Sequence, residues 1–266
     1  EYLMSKQANR NQRRGGDKTK PPSKLQERQQ SRVMRGEMQI MEDHARKREE
    51  YNLSWFKPVL AQPLIVQSME ERDLSLVDSP SGCGKSSTII WKALQELQAG
   101  YYESIILIKN PTEAGDDMIG ALPGEAESKL ELHFTSMKGI FTDFMSPGKL
   151  ESDIKNKKII LSIPNFVLGA TFYNSLIITE EAQTMSPNTI KLLTERCGEG
   201  SRVVIAGDSK QRYSVKKRED GFRDLIERVT GDYQGHRESK FDNVGYIRME
   251  TNNNMRSSLS RFITEI

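Results

Sequence analysis

From about residue 74 onward, short apolar runs alternate with segments whose apolar residues recur at helical spacing. The runs are LSLVD (74–78), SIILIK (104–109), KIILS (158–162), SLIITE (175–180), RVVIAG (202–207) and VGYIRM (244–249). Runs this short and this apolar fit strands of a parallel sheet, and the amphipathic segments between them fit helical crossovers. The spacing predicts helices over 85–98, 125–145, 187–197, 220–229 and 255–265. For the helix at 187, Ser186 supplies an N-cap and Pro187 a first-turn residue that needs no donor. The pattern predicts an α/β domain, a mostly parallel sheet flanked by helices.

Upstream of residue 55 the pattern is different. Residues 5–36 hold ten Lys or Arg against Asp17 and Glu27, and their aliphatic residues are Ala8, Leu25, Val33 and Met34. So little apolar surface does not offset the entropy of ordering, so the stretch reads as a disordered arm. It serves either as a solvated tail or as a nucleic-acid-binding arm. The whole chain is only +2, so the basic charge is segregated. Residues 37–51, rich in charge and helix formers, predict a helical linker. The expected organisation is an arm over 1–36, a linker over 37–54 and one domain over 55–266, with Met4 as a native start. No apolar run approaches the roughly 18 residues that span a membrane, and no secretory signal is visible, which predicts a soluble cytoplasmic protein. Cys83 and Cys197 give no disulfide framework, and His44, His133 and His236 lack metal-ligand spacing.

The chemistry begins at VDSPSGCGKSS (77–87), close to the phosphate-loop pattern but with Ser79 at the first glycine position. A strand before it and a helix after it are the context such a loop needs. The expected nucleotide-binding residues are Ser79, Pro80, Ser81, Gly82, Cys83, Gly84, Lys85, Ser86 and Ser87. Backbone N–H groups and the positive helix end would cradle a phosphate, Lys85 would reach the β- and γ-phosphates, and Ser86 would ligate Mg2+. Gly82 and Gly84 stand where the backbone approaches closely or takes positive φ, whereas Ser79 need only be small if its φ is negative. Downstream, the strand in LIITEEAQ (176–183) ends in two carboxylates, which a buried strand tolerates only at its carboxyl end, where ligands bind. Glu180 is the expected magnesium residue and Glu181 the residue that polarises the attacking water. VVIAGDSKQ (203–211) ends a third strand with Asp208 and Gln211, and Gln211 would orient water or sense the γ-phosphate.

Together these segments resemble the PhoH family of RecA-like P-loop ATPases, which share motifs with superfamily 1 helicases, from about Trp55 to the C-terminus. IKNPTEAGDDMIGALPG (108–124) is similar to the family's Arg-Pro-x-x-x-Ala-Gly-Glu segment and its continuation. IITEEAQ looks like its Ile-Ile-Leu-Asp-Glu-Ala-Gln, and GEGSRVVIAGDSKQ (198–211) like its Gly-Glu-Gly-Ser and Gly-Asp-x-x-Gln motifs. The resemblance implies ATP, with Gln62 at the family's adenine-reading position, and it nominates Arg256 as a γ-phosphate arginine from the Asn-Tyr-Arg-Ser-like segment. Three departures stand out: Glu180 replaces the usual Asp, LGAT (168–171) lacks two arginines found in many members, and Lys109-Asn110 replaces Thr-Arg.

A superfamily 1 helicase needs two RecA-like lobes, and this chain has room for one. The resemblance therefore implies a homo-oligomer, a hexameric ring in which Arg256 acts on a neighbour's ATP. The favoured role is ATP-driven binding, translocation or unwinding of single-stranded nucleic acid, RNA before DNA, aided by the arm and by KKR (216–218). The alternative is a slow ATP-dependent switch or assembly factor acting on a protein. A small-molecule kinase fits poorly, because Glu181 and Gln211 look arranged for water.

Overall fold

The computed structural model describes residues 51–111, 125–167, 169–211 and 220–255, with the backbone alone at 125–130 and 132. The arm, most of the linker, residues 112–124, Leu168, KKR, Arg256 and the helix expected at 255–265 beyond Met255 lie outside the described residues. The described residues form eight strands: β1 (Leu74–Asp78), β2 (Ser104–Lys109), β3 (Ile159–Ser162), β4 (Ser175–Glu180), β5 (Arg202–Gly207), β6 (Thr230–Tyr233), β7 (His236–Ser239) and β8 (Val244–Arg248). Six of them make one parallel sheet in the order β3-β2-β4-β5-β1-β8, and β6 and β7 form a separate antiparallel hairpin.

Successive residues of a strand face opposite sides of its sheet, and here both sides are covered. Val77, Ile105, Leu107, Ile178 and Val204 pack on one face against α1 (Gln62–Glu71) and α2 (Lys85–Ala99), with Phe141 and Phe144. Leu76, Ile106, Ile108, Ile177 and Ile205 pack on the other against Ile190 and Leu193 of α5 (Pro187–Thr194) and Phe222 and Ile226 of α6 (Gly221–Val229). Two covered faces explain why the strands read as continuous apolar runs rather than as alternating ones. Among the described residues no helix is long and apolar enough to cross a membrane.

The helix expected over 125–145 is divided. Helix α3 (Glu125–Phe141) stops at Phe141, and a separate α4 (Pro147–Lys155) starts where the Ser146 hydroxyl accepts from the Lys149 amide at 3.2 Å. The linker expected to be helical through residue 54 is not helical over 51–54. Its polar groups go to the domain instead: Asn52 N–H donates to the Phe144 carbonyl at 2.6 Å and Trp91 Nε1 to the Leu53 carbonyl at 3.0 Å. Trp55 then stacks on the buried Phe144, ring centres 5.5 Å apart, which anchors the entry to the domain by aromatic stacking.

Gly221 sets how closely α6 approaches the start of α5. A Cβ there would lie 2.5 Å from the Ser186 backbone, which is main chain and cannot swing aside. Gly221→Ala is expected to cost about 1–3 kcal/mol through overpacking. In urea unfolding the midpoint should fall at unchanged slope.

Candidate nucleotide-binding site

The carboxyl ends of β1, β5 and β4 lie side by side, because β5 stands between the other two. The loop 79–84 leaves β1 and feeds α2 at Lys85. Gly82 (φ 86°) and Gly84 (φ 74°) take the left-handed backbone that glycine adopts without a Cβ penalty, while Ser79 keeps negative φ and is buried. The missing glycine is therefore accommodated by size alone. A Cβ on Gly82 would strike Asn254, and one on Gly84 would strike Gln62 and Met255. The loop is thus backed by the segment after β8, where Met255 N–H donates to the Gly82 carbonyl at 3.0 Å.

Lys85 Nζ donates to the Ser79 carbonyl at 3.2 Å, so the amine folds over the loop it begins. The Ser86 hydroxyl lies close enough to the Glu180 carboxylate to stabilise its charged form. Glu180 is 4 % exposed, and its Oε1 has no hydrogen-bond partner. Burial pushes this carboxyl above its ordinary range, while Ser86, Lys109 and Lys85 pull the other way. Lys109 is the register partner of Glu180 across β2 and β4, which places a cation beside the acid. A buried carboxylate oxygen without a partner, next to a hydroxyl on a helix N-terminus, fits a hard divalent cation with oxygen ligands.

Glu181 follows in the left-handed region, φ 53° and ψ 41°, which costs a non-glycine residue about 1–3 kcal/mol. Its carbonyl accepts from the Thr184 amide at 2.9 Å and the Thr184 hydroxyl at 2.7 Å. Its carboxylate accepts from Gln183 Nε2 at 2.7 Å, and the same nitrogen lies 3.3 Å from Gln211 Oε1. Gln183 Oε1 accepts the Asp208 N–H at 3.1 Å, an approach that Gly207 permits, since a Cβ there would lie 2.8 Å from that oxygen. The buried Gln183 thus joins the acid pair of β4 to the turn after β5. Sequence reasoning quoted Gln183 inside a motif but gave it no task.

A second group was not anticipated. Asp78, the last residue of β1, accepts from Ser209 N–H (2.9 Å), Ser209 Oγ (2.7 Å) and Tyr246 OH (3.1 Å), and it pairs with Arg248 of β8. Asp208 is also buried, with its carboxyl pushed up by burial and opposed by the Lys210 amide and by Lys85. Gln62 is 1 % exposed: its Oε1 accepts from Val59 N–H at 3.0 Å and its Nε2 donates to the Cys83 carbonyl at 3.0 Å. Pro80 is buried, Ser81 and Ser87 are half-buried, and Cys83 and Cys197 are both free thiols. Every predicted site residue within the described range therefore lies at this edge or against its loop. Arg256 is outside that range.

This strand order, with a phosphate-type loop on one strand and an acid pair two strands away, defines a P-loop NTPase domain of RecA-like architecture. Residues 58–265 match the PhoH-like protein family, and the chain belongs to it. It is 27% identical over 146 residues to a PhoH-like protein of Synechocystis, covering 55% of this chain and 44% of that one. It is 28% identical over 152 residues to a PhoH-like protein of Bacillus subtilis, covering 57% and 47% respectively. The chain thus spans about half the length of the relatives it matches. Among solved structures, the helicase domain of Pyrococcus furiosus Hef is similar with a TM-score of 0.42 and 14% identity, over 75% of this chain and 39% of that one.

The backbone at Glu181 separates stability from chemistry. Glu181→Gly should remove the left-handed penalty and leave thermal stability equal or higher, by up to about 1 kcal/mol, while abolishing nucleotide hydrolysis. Thermal unfolding and phosphate release on the same preparation check both halves.

Proposed function

We propose that this chain binds ATP and hydrolyses it, and that hydrolysis is coupled to single-stranded nucleic acid, with RNA favoured over DNA. The observation that supports this most is the chain Glu181, Gln183, Gln211 beside the Ser86 and Glu180 pair. It places a positioned carboxylate and an amide next to a cation-ready acid on one loop-bearing edge. Ser86 and Glu180 would hold a magnesium ion, which neutralises charge on the phosphates.

The other steps belong to the protein. Lys85 exchanges the Ser79 carbonyl for phosphate oxygens, and the loop's N–H groups and the α2 dipole favour the same anion. Glu181 orients the attacking water and takes its proton, held in aim by Gln183. Gln211, on the turn of Asp208, steadies that water from the β5 side. For adenine, each polar atom of Gln62 has one backbone partner, and an amide has capacity for two at each atom. The second Nε2 hydrogen goes to Met255 Sδ at 3.8 Å, a weak acceptor that the base would replace, and Oε1 keeps one lone pair for the base. In the same reading the chains assemble as a ring, with Arg256 acting across the subunit boundary.

Steady-state hydrolysis with and without single-stranded RNA tests this. Lys85→Ala should lose hydrolysis and nucleotide binding together, and chelating magnesium should stop the wild type. Glu181→Gln should lose about 10²–10⁴ in rate while still binding ATP. Undiminished hydrolysis in Lys85→Ala refutes the site. Hydrolysis that RNA and DNA leave unchanged replaces the nucleic-acid role with that of a nucleotide switch acting on a protein.

A further inference from the structure

We propose that a basic pocket beside the β5 turn binds a backbone phosphate of single-stranded nucleic acid and signals its occupancy to the nucleotide site through Ser209 and Asp78. The inference rests on the function proposed above and gives the nucleic acid a place. The pocket, about 260 Å3, is lined by Ser209, Lys210, Arg223, Ile226 and Arg237. Its three cations come from three separate elements, the turn after β5, the first turn of α6, and β7. No acid is among its described lining residues.

Two of the cations have exposed partners, Glu250 at 3.5 Å from Lys210 and Glu227 at 3.2 Å from Arg223. Exposed pairs of this kind are weak and exchange readily for a phosphate. Arg237 is exposed and forms no ion pair among the described residues. On the paired strand β6, Asp232 is the register partner of Arg237 and shares its face of the hairpin, the acid with which a phosphate would compete for it. A lining of this charge suits a nucleic-acid backbone, the polyanion that the function proposed above requires.

The route to the nucleotide is short. Ser209 lines the pocket, and both its N–H and its hydroxyl are bonded to the buried Asp78, the last residue before the phosphate loop. Lys210 follows in the pocket, and Gln211 joins the Glu181 network. A strand held at Lys210 therefore bears on the turn that touches both the loop and the acid pair.

The test uses the full chain, a fluorescent single-stranded oligouridylate and ATP hydrolysis measured with and without it. The double charge reversal Arg223→Glu/Arg237→Glu should keep the basal rate and lose RNA stimulation. Its log–log salt slope for RNA binding should fall by about 0.7, the value for the one phosphate contact removed. Ser209→Ala should bind RNA as the wild type does, yet lose stimulation, an outcome that loss of charge alone does not produce. A wild type stimulated by RNA, with the charge-reversed variant stimulated equally, overturns this inference and leaves the proposed function standing. A wild type that neither binds nor responds to RNA overturns both.

Discussion

Three carboxylates are buried at the ends of three neighbouring strands: Asp78 on β1, Asp208 after β5 and Glu180 on β4. A carboxylate out of water costs several kcal/mol unless it is paired and hydrogen-bonded, so each must be answered locally. Asp78 is answered by Ser209, Tyr246 and Arg248, and Asp208 by the Lys210 amide and the nearby Lys85. Glu180 is answered only in part, by Ser86 and the charge of Lys109, and one of its oxygens has no partner. Of these three acids, Glu180 is the one with a buried oxygen left over, where a cation with bound phosphates would fit.

The sheet order makes this possible. With β5 between β1 and β4, the turn after β5 reaches the phosphate loop on one side and the acid pair on the other. Ser209 ties that turn to Asp78, and Gln183 ties it to Glu181. The strain of the left-handed Glu181 is held by Thr184 and Gln183, groups that also aim its carboxylate. Structure and chemistry share the same hydrogen bonds here.

The sheet was legible because both its faces are covered, so every strand of it is a dense apolar run. Helix α1 was not, since its N-cap Ala61 offers no capping side chain and Pro63 in its first turn is the one start signal it carries. The start of α4 carries Ser146 and Pro147, the same signal that located α5, but the helical spacing continuing from α3 masked it. The β6–β7 hairpin is polar and turns on Gln234 and Gly235 at positive φ, so it offers no apolar alternation to read. In the site, glycine spacing and paired acids showed through as motifs. Asp78, Gln183, Tyr246 and Arg248 did not, because a buried polar residue acquires meaning only from partners distant in sequence. Tyr246 and Arg248 lie more than 160 residues from Asp78.

The central claim is that Glu180 and Ser86 form the cation half of a nucleotide site. Calorimetric titration of ADP with and without Mg2+, into the wild type and into Glu180→Ala, measures it directly. The account predicts that Mg2+ tightens ADP binding to the wild type and leaves binding to Glu180→Ala unchanged, with metal-free ADP bound alike by both. Equal enhancement by Mg2+ in the two proteins would contradict it.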